Sequence, residues 1–236
     1  MRTIFAAFAL LLTSSAAPAW AQAEKAQTAQ NDARRQALNQ IVDSFRQRQF
    51  GTMLTQAEAL IAAYEKDYAG EKRQIFSART QTESLMYMTQ AAAARTSSIA
   101  LDDGWSTAWF LKGFALIDLN RSDEAGPALE RAVALAPLNA QFLAELAEWH
   151  KSRRQWDKAL DLFNRADAAA AYSPDSVKAF EQGRALRGIG FVQIELGKLD
   201  EAEAMFNRAL ALDPNDAKAK GELDYIRDQR AKLPKS

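Results

Sequence analysis

Cysteine is missing from the 236 residues, which removes disulfides, thiolate nucleophiles and cysteine metal sites together. Histidine occurs once, at His150, so a His-pair metal site is excluded. An excess of either charge is also lacking. Lys+Arg and Asp+Glu each total 30, whereas nucleic acid or an anionic membrane surface calls for a basic surplus. There is no Gly-rich phosphate loop, nucleophile elbow or metal-ligand spacing. The acidic turns Asp102-Asp103 and Asp213-Pro214-Asn215-Asp216 lack the alternating oxygen ladder of a calcium loop. The sequence therefore offers no catalytic, cofactor-binding or metal residues.

What is present begins with a leader. Arg2 precedes the apolar run IFAAFALLL (4–12), and small residues follow, ending in Ala19-Trp20-Ala21 and Ala21-Gln22-Ala23. That order is the form of a secretory signal peptide with two overlapping cleavage options, after Ala21 or Ala23. The run is far below the roughly 20 residues that span a bilayer. It predicts an exported chain, most simply periplasmic, with no membrane insertion after cleavage. Residues 1–21 are assigned to the signal peptide, and 22–32, rich in Ala and Gln, to a mobile leader.

Three stretches then repeat one another: SDEAGPALERAVALAPLN (122–139), WDKALDLFNRADAAAAYS (156–173) and LDEAEAMFNRALALDPND (199–216). Ala125, Ala159 and Ala202 correspond, as do Leu129, Phe163 and Phe206, and Ala132, Ala166 and Ala209. Upstream, Gly113, Ala147 and Gly190 correspond too. Every offset is 34 from the first copy to the second and 43 from the second to the third. A constant offset with one fixed excess means a 34-residue unit and a nine-residue insertion. Small residues at fixed places let two antiparallel helices cross closely, while Leu or Phe fills the space alongside. Pro137 and Pro214 end the second helix of their units. A single hairpin cannot bury its apolar face, so stacked neighbours must complete the core.

On Trp109, Gly113, Ala125, Leu129, Ala132 and Pro137 the chain resembles the tetratricopeptide-repeat family. Leu146, Ala147, Ala159, Phe163 and Ala166 repeat the pattern, as do Ile189, Gly190, Ala202, Phe206, Ala209 and Pro214. The resemblance implies an all-α solenoid of helical hairpins, a right-handed superhelix, with repeats at 106–139, 140–173 and 183–216. Residues 217–236 read as a capping helix and tail. The insertion at 174–182 reads as the first turns of one helix running from about Pro174 to Leu196, with Ser173 as its N-cap and Pro174 at its first position. These turns are expected to shield an edge.

Residues 33–105 read as a degenerate helical N-terminal region. Ala33 to Gln49 and Met53 to Tyr68 form an amphipathic hairpin of about repeat length. Residues 72–79 join it irregularly to a helix that opens at the capping box Thr80-Gln81-Thr82-Glu83 and runs to about Leu101. Asp102-Asp103-Gly104 then makes a turn.

In this family the first helices of successive repeats line a concave groove, which implies a partner-binding protein. That face comprises Phe110, Phe114 and Ile117 in the first repeat, Glu148 and Lys151 in the second, and Arg184, Arg187, Phe191 and Ile194 in the third. Phe110, Phe114 and Ile117 form an apolar stripe that serves equally as groove or as core. The clamp with which some relatives hold the acidic C-terminus of heat-shock chaperones is absent, its places being taken by Phe110, Phe114 and Glu145. The groove fits a protein or peptide carrying apolar and some acidic side chains. The expected function is thus a non-catalytic periplasmic scaffold without cofactor, in assembly or regulation of the cell envelope. The alternatives are a periplasmic binder of a small or polysaccharide-derived ligand, and a carboxylate-based hydrolase. His150, where the pattern has an aromatic, reads as packed structure.

Overall fold

The computed structural model describes residues 18–232, and the apolar run 4–12 that was read as part of a signal peptide lies outside them. Ten α-helices and two short strands follow in the order α1 (Ala19–Arg46), α2 (Phe50–Asp67), β1 (Gln74–Ala78), α3 (Gln81–Ala93), β2 (Ser98–Asp102), α4 (Gly104–Asp118) and α5 (Ser122–Leu135). Then come α6 (Ala140–Ser152), α7 (Trp156–Ala169), α8 (Asp175–Glu195), α9 (Leu199–Leu212) and α10 (Ala217–Lys232). Among these residues no helix is long and apolar enough to cross a membrane. The architecture is an all-α helical-hairpin solenoid, with one small β-α-β unit set into it.

The repeat spacing becomes packing at the hairpin crossings. Ala125, Ala159 and Ala202 are fully buried, and so are Leu129, Phe163 and Phe206. A Cβ added to Gly113 would come within 2.7 Å of Leu129, and one on Gly190 within 2.7 Å of Phe206. At Gly188 it would meet Phe163 of the preceding repeat at 2.3 Å. Contact that close leaves no room for a side chain, which is why the small-large pairing recurs at fixed offsets.

Each hairpin turns on the same device. Asn120, Arg154 and Gly197 adopt positive φ of 59°, 55° and 73°. The following residue donates its N–H five residues back: Arg121 to Leu116, Gln155 to His150, Lys198 to Gln193. This is the Schellman closure that satisfies the last carbonyls of a helix. Between α1 and α2 it recurs, with Arg48 at φ 58° and the Gln49 N–H bonded to the Ser44 carbonyl. The degenerate hairpin is therefore a fourth unit by geometry, and its Ile41, Met53, Ala57 and Leu60 join the core of the first two repeats.

Three expectations are corrected. Residues 22–32, read as a mobile leader, are helical and continue into α1. The helix from Thr80 stops at Ala93, because Arg95 at φ 54° closes it with the Thr96 N–H on the Ala91 carbonyl. Residues 74–78 and 98–102 then pair as parallel strands, with Ile75 opposite Ile99 and α3 as the crossover. Lastly, Ser173 does not cap α8. Pro174 occupies the N-cap position, and the Ser173 hydroxyl instead donates to Glu181.

The β-α-β unit docks on the chain between α5 and α6 and on the start of α8. Phe76 stacks on Tyr87 at 4.9 Å, and the Tyr87 hydroxyl accepts the Leu138 N–H at 3.2 Å. Thr80 caps α3 by accepting the Glu83 N–H, while Glu83 reaches back to the Arg79 N–H at 2.7 Å. The Arg79 guanidinium then bridges Glu83 at 3.0 Å and Glu181 at 2.8 Å. All three side chains are at least mostly buried, so α8 is tied to the N-terminal unit through desolvated charges.

Candidate functional site

A concavity of about 590 Å³ lies between α6, α8 and α10. Glu145, Glu148 and Lys151 come from α6, Phe180, Arg184, Arg187, Gly188 and Phe191 from α8, and Lys218 and Glu222 from α10, with Phe206 beneath. Of the residues named from sequence, Glu148, Lys151, Arg184, Arg187 and Phe191 meet here.

The other four do not. Phe110 is buried and stacks on Phe142 at 4.7 Å. Phe114 meets Phe45 edge-on at 5.2 Å and Phe50 at 6.3 Å. Ile117 packs against the same core. The apolar stripe of the first repeat thus belongs to the core, with Phe110 against α6 and Phe114 covered by the α1–α2 hairpin. Ile194 turns away toward the α8–α9 crossing, where it packs on the cluster of Leu186, Ala202 and Phe206.

Every cation predicted for the groove is held by a carboxylate of the chain. Arg184 pairs with Glu145 at 2.6 Å and Lys151 with Glu148 at 2.6 Å. Arg187 pairs with Asp216. Lys151 also sits over the Phe191 ring, 4.6 Å from its centroid. Asp216 has a second duty as the cap of α10, accepting the N–H groups of Lys218 and Ala219 at 3.1 Å each. Its burial alone would raise its pKa, but the Ala219 N–H and the Arg187 guanidinium outweigh burial and hold it below the usual carboxylate range.

Phe180, Gly188, Lys218 and Glu222 line the cavity but were not read as groove residues in the sequence. Phe180, inside the insertion, is 69 % exposed. Its neighbour Glu181 is buried against Arg79, so the inner face of these turns is anchored while Phe180 stands out at the cavity's lip. The insertion presents a side chain rather than only shielding an edge. Its signal was available: residues 180, 184, 187 and 191 fall at helical spacing on one face.

His150 is buried, with Nδ1 2.5 Å from the Gln155 Oε1 and its ring edge-on to Trp149. Held by that contact and by Trp149, the imidazole is packed structure. Arg153, beside it, pairs with Asp123 at 2.6 Å and lies over Trp149.

Comparison with known proteins agrees with this geometry. Tetratricopeptide-repeat family models match residues 106–137 and 183–216. The chain contains tetratricopeptide repeats. The unmatched segment between these two is the α6–α7 hairpin, which shares their turn and their small-large crossing. The chain is similar to the protein CTR9 homolog of Arabidopsis thaliana, 31% identical over 111 residues, which are 47% of this chain and 9% of that protein. Among solved structures it is similar to pilF of Pseudomonas aeruginosa, with a TM-score of 0.59 at 12% identity over 85% of this chain and 70% of that one. MamA of MSR-1 gives a TM-score of 0.52 at 18% identity over 84% and 87%. At such identities these likenesses concern the fold.

Proposed function

We propose that the protein is an exported, non-catalytic scaffold that grips a protein or peptide partner in the concavity of its second and third repeats. The observation that carries this reading is the exposed Phe180 ring standing beside three cations that the chain's own carboxylates hold in place. Repeat solenoids use such concave surfaces for binding, and aromatic and Arg anchors dominate interfaces. Glu145 and Glu148 face the cavity but are tied to Arg184 and Lys151. Two of the three glutamates lining the cavity are thus ion-paired, which weighs against a carboxylate hydrolase built on them.

The signal-peptide pattern of residues 1–21 supports a periplasmic setting, in assembly or regulation of the cell envelope. Cleavage after Ala21 or Ala23 spares the contacts that anchor α1, in which Gln30 and Arg34 both reach Asp67 at 2.6 Å. N-terminal sequencing of the secreted chain should return Gln22 or Glu24; Met1 on soluble cytoplasmic protein would overturn export. For the groove, affinity capture from an envelope extract is run with the wild type and with Arg187→Ala/Phe191→Ala. Equal recovery of the partner by both overturns the site.

A second reading rests on size, since about 590 Å³ falls within the roughly 300–1,000 Å³ of small-molecule pockets. It predicts that saccharide fragments raise the melting temperature while capture returns no protein.

A further inference from the structure

We infer that the outer edge of β2 is a self-association site, where a second copy of this chain adds its own β2 antiparallel and joins the two strand pairs into one four-stranded sheet. The site shares no residue with the groove. Among the described residues the sheet stops at two strands. Phe76 and Ser77 of β1 are buried, whereas no residue of β2 is, so β2 is the outer strand. The bond from the Gln74 N–H to the Ser97 carbonyl fixes which backbone groups face outward. Residues 97, 99 and 101 turn theirs to β1, and by alternation Ser98 and Ala100 present theirs to the open side. Natural edges are blunted by a Lys, a Pro or a bulge. Here residues 98–101 carry no charge and no Pro, and the pairing with β1 runs without a bulge.

Charge selects the occupant and its direction. Arg95 stands exposed before the strand, and Asp102 stands exposed at its end, where the Tyr64 hydroxyl and the Gly104 N–H hold its Oδ1. The edge is therefore positive at one end and negative at the other. A parallel copy would set like charges side by side, whereas an antiparallel copy sets each Arg95 at the other's Asp102 end. With the two-fold axis at Ile99, Ser98 of each copy exchanges both backbone bonds with Ala100 of the other. Asp102 then falls opposite Thr96, next to Arg95.

Apolar surface flanks the same edge. α3 lies across both strands, with Tyr87 stacked on Phe76 of β1 and the Met88 Sδ 3.6 Å from the Ser98 Oγ of β2. Met88 thus stands on the β2 side of the helix, and Leu85, three residues earlier, shares that flank. They are 38% and 67% exposed. A two-fold axis normal to the sheet carries the second α3 onto the same face. The two helices then lie two strand spacings apart, about 9.6 Å, within the roughly 8–10 Å at which helices pack. The same operation that pairs the open backbone groups and the charges therefore covers Leu85 and Met88.

Sedimentation equilibrium of the mature full chain over a concentration series should show a reversible monomer–dimer equilibrium. Ala100→Pro removes both outward Ala100 N–H donors of the dimer and spares the ladder to β1, which runs through residues 97, 99 and 101. It should weaken dimerisation about tenfold or more. Leu85→Lys/Met88→Lys changes only exposed side chains and should also weaken it, with unchanged helical circular dichroism in both variants. Arg95→Glu should weaken it too, by an amount that shrinks as salt rises. Because the chain has no cysteine, crosslinking reads the register. Ile99→Cys should crosslink to itself under mild oxidation, since a non-hydrogen-bonded antiparallel pair holds its Cα atoms about 4.5 Å apart. Ser97→Cys and Leu101→Cys should crosslink only when mixed. A chain that stays monomeric throughout the series, or a dimer indifferent to Ala100→Pro or to Leu85→Lys/Met88→Lys, overturns the site. A dimer that responds to both but does not crosslink through Ile99→Cys overturns the antiparallel register.

Discussion

The helical hairpins and the β-α-β unit sit in the same solenoid but are joined to it by different physics. Between hairpins the contacts are apolar and graded by volume: alanine or glycine on one helix, leucine or phenylalanine on the next, all near zero exposure. The β-α-β unit has a small apolar cluster of Phe76, Tyr87 and Ala91. It meets the repeats partly through apolar side chains, with Ile75 and Leu101 on the edge of the main core and Leu138 on its own cluster, and, unlike the hairpins, also through directed polar contacts: Tyr87 to the Leu138 N–H, and Arg79 to Glu181. Apolar contacts fail gradually as volume is lost, whereas a buried charge pair fails by leaving its other half unpaired. The difference implies that the solenoid holds its own shape and that the inserted unit fixes where the first turns of α8 lie.

The largest effects should separate these two modes. Phe163→Ala and Phe206→Ala each remove a fully buried ring and should cost about 3–5 kcal/mol in chemical denaturation. Arg79→Ala leaves Glu83 and Glu181 buried, at 0% and 5% exposure, without their cation, and should cost about 3–5 kcal/mol as well. The two losses differ in their remedy. Adding Glu181→Leu to Arg79→Leu should return part of the stability, because an apolar pair replaces a broken ionic one, while no neighbouring substitution refills the space left by Phe206. Hydrogen exchange should show the Arg79 effect concentrated in residues 174–182. A uniform rise along all of α8 would show that the pair does not fix those turns.

Next in size comes the crossing itself. Ala132, Ala166 and Ala209 are buried at 0%, 0% and 1% exposure. Enlarging any of them to Leu should cost about 1–3 kcal/mol through overpacking. Variants that all melt with the wild type would break the contrast at its apolar side.

The repeats were legible in sequence because close helix approach admits few residue types, and those types fall at offsets of 34 and 43. The fourth hairpin kept its turn but not its small-large pairing, so only its amphipathicity showed. The strands were hidden for another reason. Each is five residues long, without alternation, and α3 is closed by Arg95 in a conformation that Gly or Asn usually marks. Ser173 before Pro174 carried a true capping signal, overridden because its hydroxyl serves the buried Glu181. In the groove, the arginines of α8 and Lys151 followed from the repeat register. Phe110 and Phe114 were ambiguous because a first repeat exposes that face only if nothing precedes it, and here α1 and α2 do. Phe180 was not assigned to the groove because the insertion, though read as part of the same helix, was expected to shield an edge.

The smallest effect compares two aspartates, one from each side of the contrast. Asp216 belongs to the solenoid, where the Ala219 N–H and Arg187 hold its pKa below the ordinary value of 3.8 against the opposing effect of burial. Asp103, at the start of α4 beside the β-α-β unit, has its pKa raised above 3.8, chiefly by burial and then by the neighbouring Asp102 charge. Linkage gives the two opposite signs. The stabilising contribution of Asp216 is fully present above 3.8 and is lost as pH falls through its lower folded pKa. The folded state is instead favoured by Asp103 below 3.8, and that contribution is lost as pH rises through its higher folded pKa. At pH 7, therefore, Asp216→Asn should lower stability and Asp103→Asn should raise it slightly. As pH falls, the Asp103→Asn gain should fade first, since its window lies above 3.8, and the Asp216→Asn loss should persist until below it. Denaturation midpoints of both variants and the wild type, taken from pH 7 to pH 3, check the order. If the Asp103→Asn midpoint tracks the wild type at every pH, that carboxylate bears no burial penalty, and the junction between β2 and α4 is wetter than its packing implies.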